Sequence, residues 1–218
     1  MNNFSTRAGW YDRNCRDCPR LSTFLDDVKR KNPDYFCRPV PPFGDPQAQL
    51  LIVGLAPGLK GANATGRPFT GDHAGILLYQ TLFKFGFASA PESISADDDL
   101  QLQNCRITNA VKCLPPQNKP IGSEVNNCRK FLLKEIDDLP TGSVILALGS
   151  IAHTTILRSL KLPVKNYPFS HTGVFPLHSD LQLLSSYHCS RYNTQTKRLT
   201  TPMFEKVFEI ARNLLNHA

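Results

Sequence analysis

The feature that most narrows the fold is an alternation of short apolar runs with longer amphipathic stretches. Short strand-like runs occupy residues 50–53, 106–111, 143–148 and 181–186, the first and third almost wholly apolar. Their length suits buried strands rather than helices. Between and after them apolar residues recur at helical spacing: at 77, 78, 82 and 85, then 125, 128, 132 and 136, then 204, 207, 208, 211, 214 and 215. Helices are also expected over 21–31, closed by Asn32-Pro33, and over 149–160. Ser123 is the expected cap of the 125–136 helix, and Thr201-Pro202 suits a helix start. Residues 173–177 add a candidate edge strand. This order predicts an α/β fold, a three-layer α/β/α sandwich around a central, mainly parallel four-stranded sheet. No repeat or linker interrupts it, so 1–218 is expected to be one domain.

In such sheets ligands sit outside the carboxyl ends of the strands. The first of those ends opens into Gly54-Leu55-Ala56-Pro57-Gly58 and runs on to Gly66-Arg67-Pro68-Phe69-Thr70-Gly71-Asp72, with five glycines and two prolines between 54 and 72. A compact domain keeps so long a loop when the loop has a function. Glycines let backbone N–H groups come close to a ligand, and Pro57 stiffens the approach. Asn109 and His188 lie at or near other strand ends, so groups distant in sequence can converge on one cleft. The segment 88–101, with Asp97-Asp98-Asp99, reads as a solvated connection without chemistry. Walker, dinucleotide-fingerprint, His-Glu-x-x-His and Gly-x-Ser-x-Gly patterns are all missing.

Lys and Arg exceed Asp and Glu by 7, which favours a polyanionic partner because neutralised phosphates release counterions. No window approaches a membrane span, and Met1-Asn2-Asn3-Phe4-Ser5 lacks the order of a signal peptide, so an intracellular protein is expected. Seven cysteines in such a chain point to metal or redox use rather than disulfides. Cys15 and Cys18 have the spacing that lets two thiolates reach one metal. Cys113 and Cys128, separated by 14 residues, complete a candidate set of four thiolates. Spacing alone leaves zinc open, Cys37 and Cys105 stand as substitute ligands, and Cys128 equally suits a core position. Cys189 reads as packing.

Taken together, Cys15-x-x-Cys18, Gly54-Leu-Ala-Pro-Gly58, Gly66-Arg-Pro-Phe-Thr-Gly-Asp72, Ile107-Thr-Asn-Ala-Val-Lys-Cys113 and Tyr187-His188 resemble the iron–sulfur uracil-DNA glycosylases in order and spacing over nearly the whole chain. The match is nearest to the fifth, broad-specificity family. The fourth family carries Gly-Glu-Ala-Pro-Gly, whereas Leu55 and Ala56 stand here, and 188–194 is similar to the fifth family's third motif. Gly58 departs from the Ala that fifth-family members often have.

The resemblance implies a monofunctional glycosylase that removes uracil and other deaminated bases from DNA for base excision repair. It also implies a structural [4Fe-4S] cluster on Cys15, Cys18, Cys113 and Cys128. A cytoplasmic, nucleoid-associated monomer is expected. Gly54, Ala56, Pro57 and Gly58 would line the base pocket. Phe69 would stack on the flipped base or serve as core packing. Asn109 would read the uracil edge or be a satisfied buried amide. His188 would hydrogen-bond the base O2. Asp72 would orient water and stabilise the sugar cation, or simply cap the helix starting near His73. Arg191 and Asn193 belong to a DNA-facing segment, 190–196, that is either a wedge or a solvated turn. A narrow fourth-family-like enzyme and a non-catalytic iron–sulfur DNA-binding module are the alternatives.

Overall fold

A computed structural model describes residues 7–216. The Met1–Ser5 stretch read above therefore lies outside the described residues. Five helices, α1 (Pro19–Lys31), α3 (His73–Lys84), α4 (Gly122–Asp137), α5 (Ser150–Ser159) and α7 (Thr201–Asn216), surround one sheet, and two short helices, α2 (Ala62–Thr65) and α6 (Arg191–Gln195), lie in the loops. The strands are β1 (Phe43–Gly44), β2 (Leu50–Gly54), β3 (Cys105–Asn109), β4 (Val144–Leu148), β5 (Val174–Pro176) and β6 (Gln182–Ser186). No helix among the described residues is long and apolar enough to cross a membrane.

The sheet order is β1-β3-β2-β4-β6-β5. The four expected strands form the parallel centre, with Leu50 opposite both Cys105 and Val144, and Val144 opposite Gln182. Two antiparallel edge strands make the sheet six-stranded rather than four. The strand β1 was invisible in a proline-rich stretch because close backbone approach, not apolar pattern, creates it. A Cβ on Gly44 would stand 2.3 Å from the Cys105 carbonyl.

Side chains of successive strand residues point to opposite faces, which divides the core in two. Leu50, Ile52, Ile107, Leu146 and Leu184 pack with Leu78, Leu82, Phe204 and Phe208 of α3 and α7. On the other face Leu51, Val53, Ile145, Ala147 and Leu183 meet Leu132, Ile136, Ile156 and Leu157 of α4 and α5. A buried aliphatic side chain contributes about 1.5–3 kcal/mol, and a one-residue slip would exchange every side chain between faces, so the register is firmly set.

Two local expectations are corrected. Ser123 does not cap α4: Ile121 is the N-cap residue, and Glu124 accepts the Ile121 N–H at 2.9 Å while gripping Arg20 of α1 at 2.7 and 2.8 Å. Nor is 88–101 merely solvated. Ala88 and Leu100 are buried, and Asp98 forms an ion pair with the buried Arg67 of the glycine loop. The Asp98 carboxylate also accepts the N–H groups of Ile94, Ser95 and Leu100. Arg67 lies over the Phe43 ring at 4.2 Å and donates to the Ala96 carbonyl at 2.8 Å. Because the partners are 31 residues apart, local pattern could not show this brace.

Candidate active site

A cavity of about 580 Å³ opens at the carboxyl ends of the central strands. Ala56, Pro57, Gly58, Phe69, Asp72, Asn109, His188, Arg191 and Asn193 all line it. Gly54 lies just behind the wall. A Cβ there would come within 2.5 Å of Asn109 Oδ1 and 2.8 Å of Phe69 Cζ, so glycine is what lets those two side chains meet over the end of β2.

Asn109 is 4% exposed, and its side-chain amide has no hydrogen-bond partner among the described residues. Phe69 is also buried, and its backbone sits at φ 58°, a left-handed conformation costly for an aromatic residue. The loop is held in that shape from behind. Tyr79 donates its hydroxyl to the Pro68 carbonyl at 2.8 Å, and a Cβ on Gly75 would collide with the Phe69 carbonyl at 1.8 Å. The Phe69 ring stacks on His188, centroids 5.9 Å apart at 28°. It is therefore a packed residue and a cavity wall together.

Asp72 occupies the N-cap position of α3, yet its side chain makes no capping bond. The carboxylate turns back over the loop toward Gly58 and Gly61, where added Cβ atoms would lie 2.6 Å from Oδ1 and 1.9 Å from Cγ. Burial raises its pKa, while the Ala62 backbone N–H opposes that rise. His188 lies two residues beyond the end of β6. Its ring is half-buried by surface area but closely surrounded, and burial holds its pKa down at about 4, so the imidazole is neutral at pH 7. Neither ring nitrogen has a hydrogen-bond partner among the described residues.

The 190–196 segment is a helical turn, α6, with Ser190 Oγ accepting the Asn193 N–H at 3.4 Å. Tyr192 is 69% exposed on it. The Asn193 amide donates to the His188 carbonyl at 2.8 Å, so this side chain props the histidine as well as lining the cavity. Sequence reasoning missed Asn118, Ser150, Phe169 and Arg198, which also line the cavity. It also missed Gly149, whose φ of 98° turns the chain from β4 into α5 beside the His188 Cβ. A glycine directly between an apolar run and a helix was the available signal.

Cys15, Cys18, Cys113 and Cys128 together line a second, small cavity between α1 and α4. Cys18 is the N-cap residue of α1, which ties the Cys15/Cys18 pair to that helix. Among the described residues no three metal-ligating groups stand close enough to hold one ion. A single tetrahedral zinc, with bonds of about 2.3 Å, requires sulfurs about 3.8 Å apart. A [4Fe-4S] cluster binds each of four thiolates through a different iron, and four cysteines line this cavity. Burial pushes the Cys128 thiol up to about 11 and the Cys113 thiol higher still, so these sulfurs ionise readily only against a metal. The Lys112 backbone N–H and the Asn127 amide point at Cys128 and Cys18 Sγ, at 3.2 and 3.5 Å. Of the substitutes, Cys37 instead takes a bond from Asn63 at 3.4 Å, and Cys105, like Cys189, is packed in the α3/α7 core layer.

The uracil DNA glycosylase superfamily matches residues 41–212. The type-5 uracil-DNA glycosylase of Thermus thermophilus is 46% identical over 205 residues, 92% of this chain and 93% of the relative. That of Pyrobaculum aerophilum is 38% identical over 216 residues, 94% of each chain. The crystal structure of wild-type Pedobacter heparinus SMUG2 shares the fold, with a TM-score of 0.50 at 15% identity over 93% of this chain and 86% of that one. The chain belongs to the uracil-DNA glycosylase superfamily, among its type-5 members.

Proposed function

We propose that this protein hydrolyses the N-glycosidic bond of uracil and other deaminated bases in DNA, leaving an abasic site for base excision repair. The observation that carries the reading is one cavity in which an unpartnered amide, a neutral imidazole and a half-buried carboxylate converge. The target base must leave the duplex to reach it. The net charge of +7 supports binding to phosphates. Arg191, Asn193 and the exposed Tyr192 make the DNA-facing rim.

Phe69 stacks on the flipped base, and the backbone of Ala56, Pro57 and Gly58 borders it. Asn109 donates to uracil O4 and accepts from N3–H, a pattern that cytosine reverses. His188, being neutral, donates one N–H to O2 as negative charge grows on the leaving base. Asp72 faces the positive charge developing on the sugar and orients the attacking water, on analogy with glycoside hydrolysis. The cavity lies within the range of about 300–1,000 Å³ that accepts drug-sized ligands, which leaves room for a deaminated purine.

Cys15, Cys18, Cys113 and Cys128 hold a [4Fe-4S] cluster that ties the N-terminal segment to the sheet. The protein works as a single-domain monomer on the DNA of the cytoplasmic nucleoid. Base release from duplexes carrying uracil, hypoxanthine or xanthine tests the reading. Release of uracil alone would mean a narrow enzyme, and release of none, with DNA still bound, a non-catalytic module.

A further inference from the structure

Glu135 of α4 is fully buried and faces two cations. Lys112 Nζ lies 2.5 Å from Oε1 and Arg106 Nε 3.5 Å from Oε2, with all three side chains at most 1% exposed. One positive charge is in surplus. Arg106 spreads its own over the Trp10 ring, 3.9 Å away, and over the carbonyls of Asp45, Pro46 and Glu135. Arg106 Nε and Glu135 Oε2 still lack hydrogen-bond partners. Replacing a buried ion pair with apolar residues is often neutral or stabilising, and a half-satisfied network costs more. Stability therefore does not account for these charges.

Their place in the fold does. Thr108 donates to Glu135 Oε1 at 2.8 Å and accepts from the Lys112 ammonium. Residues 106, 108 and 112 are thus all tied to one glutamate, and Asn109 sits among them. Thr108 turns to the α4 face of β3, which leaves Asn109 on the cavity face. The Lys112 backbone N–H also bonds Cys128 Sγ at 3.2 Å, about two turns before Glu135 on the same helix. Helix α4 grips the chain at both ends of this stretch. The Asn109 amide has no partner of its own, so its aim depends on this backbone.

We infer that the Glu135–Lys112–Thr108 network is a positioning device that holds Asn109 in register with the base edge. The inference rests on the proposed base-reading role of Asn109. A misplacement of about 1 Å costs about 10²-fold in rate.

Lys112→Met is the test, because it leaves Arg106 and Glu135 as a balanced pair and fills the same volume. Expected are a wild-type thermal midpoint, iron content and duplex affinity. Single-turnover uracil release should fall about 10²-fold, and amide exchange should quicken over 108–112. In an Asn109→Ala background the same change should add no further loss, since the network acts through Asn109. Should Lys112→Met fail to fold, Thr108→Val carries the same cycle with a smaller expected loss. A folded variant with the wild-type rate, or a loss that multiplies in full with Asn109→Ala, overturns the inference. Wild-type release by Asn109→Ala alone would instead remove the base-reading role, and the network's purpose with it.

Discussion

Replacing Asp72 by Asn separates catalysis from folding with a change of one atom. Asn is as good an N-cap as Asp, and the native side chain makes no capping bond, so α3 should lose nothing. The amide fits the space left by Gly58 and Gly61 and can still accept from Ala62. What disappears is the negative charge. Losing a positioned acid–base group costs about 10²–10⁴ in rate, or about 2.7–5.4 kcal/mol of barrier. Single-turnover cleavage of a uracil–guanine duplex should fall by that factor, with duplex binding unchanged.

Stability should move the other way. Burial raises the folded pKa of Asp72 above its unfolded value. Below the unfolded value the group is neutral in both states and costs nothing. As pH rises toward the folded value, the unfolded chain releases the proton first and stability falls. Above both values the penalty is constant. Asp72→Asn should therefore melt higher than wild type at pH 7, with the gap closing in acid. The wild-type rate should also decline as pH falls through the raised Asp72 pKa, a limb the variant lacks. His188 stays neutral down to about pH 4 and contributes nothing to that limb at higher pH. A wild-type rate for Asp72→Asn, or a lower melting point at pH 7, would refute the reasoning.

Asn109→Asp should reduce uracil release by at least about 10²-fold, since the donor to O4 is lost and an added charge is buried without a partner. Weak cytosine release is the expected gain, read in the same cleavage assay, and undiminished uracil release would take Asn109 out of the pocket. Cys128→Ser should lower bound iron, the thermal midpoint and activity together, because the site joins α1 to α4. Iron and sulfide assays with a melt check this, and full iron retention would displace Cys128 from the ligand set.

The parallel centre of the sheet was legible because β2 and β4 are buried on both faces and so appear as continuous apolar runs, whereas β3 is equally buried but carries Arg106, Thr108 and Asn109. The strand-end rule also located Gly54, Asn109 and His188 without any coordinates. Of the two edge strands, β5 formed within the expected 173–177, while β1 was illegible because two residues carry no period and Gly44 joins the sheet through close backbone approach alone. Spacing identified Cys15 and Cys18. The family resemblance added Cys113 and Cys128, and the fold places these four cysteines, without Cys37 or Cys105, on one cavity.

The side chains whose direction mattered most were decided by tertiary contacts. Asp72 occupies a helix-cap position in any local reading, and it turns toward the cavity because Gly58 and Gly61 leave room that a single methyl group would fill. Glu135 reads as an ordinary polar position on an amphipathic helix, since its partners Thr108 and Lys112 lie 27 and 23 residues away. Local pattern reports which face of an element is apolar. It cannot report which distant charge or cavity that face will meet, because that pairing exists only once the chain has folded.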